Sequence, residues 1–76
     1  MKITNKQFEA IKKKYKLTNR ELQVVKLIFD ECVSNQEIAD KMSVNEFTAK
    51  AHLAKVYLKM NVNQKHMIVL EVLKNI

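Results

Sequence analysis

From Ser34 to Met60 the chain reads SNQEIADKMSVNEFTAKAHLAKVYLKM. Ser34 or Asn35 can cap a helix over about 35–42, and Asn45 can cap a longer one over about 46–60. Between them Ser43, Val44 and Asn45 form a turn, with Val44 as its apolar plug. Helical spacing points Ile38, Ala39 and Met42 inward from the first helix. It puts Ala49, Leu53, Val56 and Met60 on one face of the second. The opposite face carries Phe47, Ala51, Ala54, Lys55 and Leu58, with Lys50 at its edge. That face is half apolar and holds two alanines, so the helix backbone can sit close to another molecule. Two helices across so short a turn predict a helix-turn-helix. Such a motif holds its second helix ready to enter a DNA major groove.

Upstream, Thr18-Asn19-Arg20-Glu21 is a capping box for a helix running to about Glu31. Leu22, Val25, Leu27, Ile28 and Phe29 give it a wide buried face, and Leu17 is placed to staple onto Leu22. Residues 1–16 are the most basic part, with Lys2, Lys6, Lys12, Lys13, Lys14 and Lys16 against Glu9. Phe8, Ile11 and Tyr15 recur at helical spacing and Asn5 can cap the start, which predicts a short helix docked on the domain. Downstream, Asn61 suits the left-handed conformation that ends a helix, and Asn63 can cap a last helix over about 64–75. Ile68, Val69, Val72, Leu73 and Ile76 form its inward face. Met67 and Leu70 fall on the other side as an apolar pair, the signature of a contact surface.

Composition agrees. Seventy-six residues make one domain, and 47% hydrophobic residues exclude a disordered tail. The absence of Gly and Pro argues for helices joined by brief turns, because strand hairpins usually need Gly-containing corners. The net charge of +6 points to a polyanionic partner. Only one acid, Glu46, lies between Lys41 and His66, against Lys50, Lys55, Lys59 and Lys65, so the helix-turn-helix region is also locally positive. A single cysteine, Cys32, permits no internal disulfide and fits a reducing cytoplasm. The N-terminus has no apolar signal core, and no apolar run is long enough to span a membrane.

The segment LTNRELQVVKLIFDECVSNQEIADKMSVNEFTAKAHLAKVYLKMNV, residues 17–62, resembles the LuxR-type (GerE-like) helix-turn-helix family. Several separate pieces fall in register: Leu17-Thr18 with Arg20-Glu21, Ser34-Asn35 with Glu37-Ile38-Ala39, Thr48 with Lys50 and His52, then Lys59 and Val62. The chain departs from the pattern where Cys32 replaces the usual Gly, Ala49 a Val, Asn45 a Ser cap, Asn61 a Gly and Lys65 an Arg. The resemblance implies an all-α four-helix bundle, here with an extra basic N-terminal segment over 1–16. It implies double-stranded DNA as partner and a homodimer formed through the last helix, with Met67 and Leu70 at the contact.

Carried over position by position, the resemblance puts Lys50, Ala51, Ala54 and Lys55 at base edges. Lysine can donate to guanine O6 and N7, and alanine can pack on a thymine methyl. Phe47 has no usual counterpart and is expected to wedge against a sugar or a thymine methyl. Ser34, Asn35, Thr48, His52 and Lys59 are expected at phosphates, with the amides of the helix starts. Arg20 and Glu21 are expected to tie the first family helix to the rest.

His52 and His66 lie on different predicted helices and Cys32 precedes the motif, so no metal-ligand spacing recurs. No phosphate loop, catalytic constellation or cofactor motif is present, and the chain reads as a non-enzyme without cofactor. The reading is a small transcription regulator, with the initial Met and the N-terminal helix favouring a complete protein over an excised output domain. Two rivals remain: a domain like region 4 of a sigma factor, which would bind RNA polymerase, and a protein-interaction module that pairs with a larger regulator.

Overall fold

Among the described residues, four of the five helices begin at a side chain that accepts from the amide three residues on, so polar punctuation sets the element boundaries. The computed structural model describes residues 3–30 and 34–76. Its helices are α1 Asn5–Tyr15, α2 Asn19–Phe29, α3 Asn35–Met42, α4 Glu46–Met60 and α5 Lys65–Lys74. No strand occurs among the described residues. Thr18 caps α2 through the expected reciprocal pair: Oγ1 accepts from the Glu21 amide at 3.2 Å, and Glu21 Oε1 accepts from the Thr18 amide at 2.9 Å. Ser34 caps α3 and Asn45 caps α4, with acceptor distances of 3.0 and 2.7 Å. Cys32, and with it the turn expected to close without its glycine, lies outside the described residues.

Two caps differ from expectation. α1 is capped by Thr4 rather than Asn5, because Gln7 three residues on completes a second capping box. α5 starts at Lys65 rather than 64, with Gln64 at the cap position and no side-chain cap bond, so Asn63 stands one residue too early to serve. α2 ends at Phe29, short of the expected Glu31.

Three helices end alike. Lys16, Ser43 and Asn61 follow α1, α3 and α4 in the left-handed region, with φ of 55°, 57° and 56°. The next residue's amide reaches back in each case: Leu17 to the Lys12 carbonyl, Val44 to Ala39, and Val62 to Tyr57, at 2.9, 3.1 and 3.0 Å. The amides of Lys16, Ser43 and Asn61 themselves donate to the carbonyls of Lys13, Asp40 and Leu58, and the two bonds together satisfy carbonyls that would otherwise be orphaned.

One core unites the helices. Phe8 and Ile11 of α1, Leu17, Leu22, Val24, Val25 and Ile28 around α2, Ile38, Ala39 and Met42 of α3, Ala49, Leu53, Val56 and Met60 of α4, and Ile68 and Val72 of α5 are all buried. Val24 is fully enclosed and was missing from the expected face, while Leu27 and Phe29 are only half-buried. The Phe8 and Phe29 rings meet edge to face at 6.2 Å, fastening α1 to α2. At its other end α1 meets α5 through a polar cluster. The Tyr15 hydroxyl donates to Glu71 Oε2 at 2.7 Å and accepts from Asn75 Nδ2 at 3.0 Å, and Lys14 donates to Asn75 Oδ1.

The last helix buries less than its pattern suggested. Ile68 and Val72 are its buried residues, and Val69 is half-buried. Leu73 and Ile76, expected inward, are 38% and 52% exposed. The helix stops at Lys74, which leaves Ile76 beyond the packed stripe.

Candidate nucleic-acid interface

α4 is held from behind and open in front. Its four buried residues are Ala49, Leu53, Val56 and Met60, and they pack on the core formed with α2 and α3. Ala49 and Ala39 are both fully covered, and these small residues let α3 and α4 approach closely at the turn. On the far side Phe47, Lys50, Ala51, Ala54, Lys55 and Leu58 are all exposed. The structure therefore brings the five expected base-contact residues, Phe47, Lys50, Ala51, Ala54 and Lys55, onto one accessible helix face. Neither Lys50 nor Lys55 pairs with a carboxylate among the described residues.

The expected phosphate residues divide. Ser34 is exposed at the start of α3, and its Oγ is occupied as acceptor by the cap while its hydroxyl proton stays available. Thr48 and His52 are half-buried along one flank of α4. Asn35 is half-buried, and its Oδ1 is enclosed with no hydrogen-bond partner. It lines a cleft of about 300 Å³ with Lys50, Leu53, Ala54, Tyr57 and Lys65. Tyr57 and Lys65 join the site here without having been expected. Tyr57 follows Ala54 by three positions and Lys50 by seven, a helical spacing that carries the signal. Burial pushes the Tyr57 hydroxyl pKa up, so it remains a neutral donor.

Lys59 differs from expectation. Its ammonium donates to Glu21 Oε1 at 2.6 Å and to the Lys16 carbonyl at 3.0 Å. It closes the junction of the end of α1, the start of α2 and the end of α4, which takes its charge away from a phosphate. Glu21 is 1% exposed. Burial pushes its carboxyl pKa up, but the hydrogen bonds from Lys59 and from the Thr18 amide, with the attraction of the ammonium, outweigh this and hold it below the ordinary 4.5. Arg20 has the tying role its position suggested, donating to Gln23 Oε1 at 3.2 Å and, more weakly, to the Met42 carbonyl at 3.4 Å.

On α5 the expected contact pair is uneven. Leu70 is 56% exposed, whereas Met67 is half-buried over a small cleft with Asn61, Val62 and Asn63. The exposed apolar surface runs from Leu70 to Leu73 instead.

No helix is long and apolar enough to cross a membrane among the described residues. No solved structure matches the chain. It is similar to the transcriptional regulatory protein DegU of Brevibacillus brevis, 37% identical over 70 residues, which is 92% of this chain and 29% of that protein. The chain thus spans less than a third of that relative's length. The family model for bacterial regulatory proteins of the luxR family matches residues 15–72, which takes in α2, α3 and α4 and most of α5, and leaves all but the last residue of α1 outside. The chain belongs to the luxR family of bacterial regulatory proteins, which are DNA-binding transcription regulators and not enzymes.

Proposed function

We propose that this chain reads double-stranded DNA by sequence, with α4 in the major groove. The observation that carries the reading is the exposed face of a helix whose back is locked into the core. Phe47, Lys50, Ala51, Ala54 and Lys55 meet base edges. The two lysines donate to guanine, and the alanines let the helix backbone approach thymine methyls. Ser34, Asn35, Thr48 and His52 meet phosphates and set the register, helped by the amides at the starts of α3 and α4. Lys65 and Tyr57 extend this row across the cleft.

The chain acts as a dimer through α5, with Leu70 central, Leu73 beside it and Met67 at the margin. A two-fold protein implies two half-sites related by symmetry. The regulator works in the cytoplasm on the bacterial nucleoid.

Selection of bound sequences from a random duplex pool, with the solution mass measured alongside, tests this. The expected result is an enriched two-fold-symmetric motif bound by a dimer. Affinity should fall steeply with salt, through counterion release. A folded protein that enriches no sequence overturns the reading.

A further inference from the structure

Leu58 has no task in the DNA reading. It is 82% exposed, as much as Phe47 at 81%. Eleven positions at about 1.5 Å each separate the two by roughly 16 Å along the helix. A docked recognition helix reads bases through its N-terminal residues, in a groove about 12 Å wide. Leu58 lies past that reach.

Phe47, Ala51, Ala54 and Leu58 are spaced four, three and four apart. That is the spacing of a heptad seam, and it puts the four within roughly 60° of arc on the face opposite the core. The outer pair is large and the inner pair small, so a second helix could lie along the seam at close range between two apolar ends. Lys50 borders the seam on one side and Lys55 on the other, the flanking positions that select a partner by charge.

Charge also decides between occupants. A second copy lying antiparallel would match Phe47 with Leu58 and Ala51 with Ala54, but it would bring Lys50 towards the other copy's Lys50 at one edge and Lys55 towards its Lys55 at the other. Like charges so placed are unfavourable, and each copy carries a net +6. A helix with carboxylates beside its apolar ridge meets both lysines favourably.

We infer that the outward face of α4 is also the seat for an acidic amphipathic helix of a second protein, its apolar ridge along Phe47, Ala51, Ala54 and Leu58 and its carboxylates on Lys50 and Lys55. The docking stands by itself. Its consequence, that partner and DNA exclude one another, rests on the DNA reading above.

The probe is a synthetic peptide of about three heptads with leucine at the seam positions and glutamate at the flanks; its own glutamates oppose self-pairing. A scrambled peptide of the same composition is the control. Amide chemical shifts of the whole chain should move along residues 47–58, and the scrambled peptide should bind at least about tenfold more weakly. Leu58→Gln should weaken the seam peptide by about tenfold while duplex affinity stays within about twofold. Its exposure makes the substitution harmless to the fold. The seam peptide should displace duplex.

Equal binding of both peptides would reduce the attraction to net charge and overturn the seat. So would shifts confined to α5, indifference to Leu58→Gln, or self-association of the protein without peptide whose concentration-dependent shifts fall on α4 rather than α5. A ternary complex overturns the exclusion. A chain that binds the peptide but enriches no duplex sequence overturns the DNA reading and supports the seat.

Discussion

Lys59 Nζ lies 2.6 Å from Glu21 Oε1, joining the last turn of the exposed helix to the first turn of α2. The Glu21 side chain is buried and the Lys59 side chain one-third exposed. Removing the lysine leaves a buried charge without its counterion, and breaking such pairs is strongly destabilising. Lys59→Ala should lower stability by about 2–4 kcal/mol in denaturant unfolding, somewhat under a fully buried pair because water reaches the ammonium. The slope of DNA affinity against salt should be unchanged, which separates an internal tie from a phosphate contact.

Acid should weaken the domain by the same route. Glu21 sits below its ordinary pKa in the folded chain. So does Glu71, where the hydrogen bond from Tyr15 does most, outweighing slight burial, with Lys74 and Lys14 adding to it. A carboxylate depressed on folding binds its proton more readily when unfolded, so the unfolded chain takes up protons first as pH falls. The stabilisation is complete above the ordinary 4.5 and disappears as pH drops through the lowered values. Thermal midpoints should be flat from neutrality down to about pH 5 and then fall. Glu21→Gln should shrink the fall.

The two seam lysines should matter for DNA and not for the fold. Both are exposed on α4. Lys50→Ala and Lys55→Ala should each weaken specific binding by about 1–3 kcal/mol, with Tm unmoved. Direct titration of the selected duplex checks both, and unchanged affinity in the pair would sink the docking of α4 in the groove.

Asn35 sets stability against binding. A buried oxygen without a donor penalises the fold by about 1–3 kcal/mol, relieved where the amide can turn over. Asn35→Ala, in the first turn of α3, should leave stability equal or raise it by up to about 1 kcal/mol. DNA affinity should fall in the same variant, as expected where an unpaired polar group is kept for binding.

The left-handed corner after α1 invites a simple gain. Lys16 holds φ 55° there, and its carbonyl, not its side chain, accepts from Lys59. Lys16→Gly removes the Cβ penalty and keeps that carbonyl. Stability should rise by up to about 1 kcal/mol, offset in part by the freer unfolded chain.

The helix-turn-helix was legible because its signals are local. Asn45 as cap, Asn61 as terminator and the periodicity of Ala49, Leu53, Val56 and Met60 all lie within a few turns of one another. So does the Thr18–Glu21 box. What escaped notice depended on distant packing. Lys59 reads as one more cation in a basic stretch, and only the fold brings it to Glu21, thirty-eight positions away. Val24 is absent from the face expected of α2, yet it is fully buried in the core that all five helices share. On α5, periodicity placed Leu73 inward, but the contact stripe is narrow and ends with the helix at Lys74. The outward place of Leu58 and its spacing from Phe47 lie in the sequence, while the near-equal exposure of the two comes from the fold.

The corners after α1, α3 and α4 each bring their own apolar plug, in Leu17, Val44 and Val62. A helix ended this way is joined to the next by only a few residues, so neighbouring helices meet without a large loop being closed first. Closure entropy grows with loop length, and folds dominated by local contacts assemble fastest. The domain belongs to the helical class that folds in microseconds to milliseconds. A transient excursion from the folded state, whether driven by heat or by a passing protease, is therefore reversed on that same short timescale.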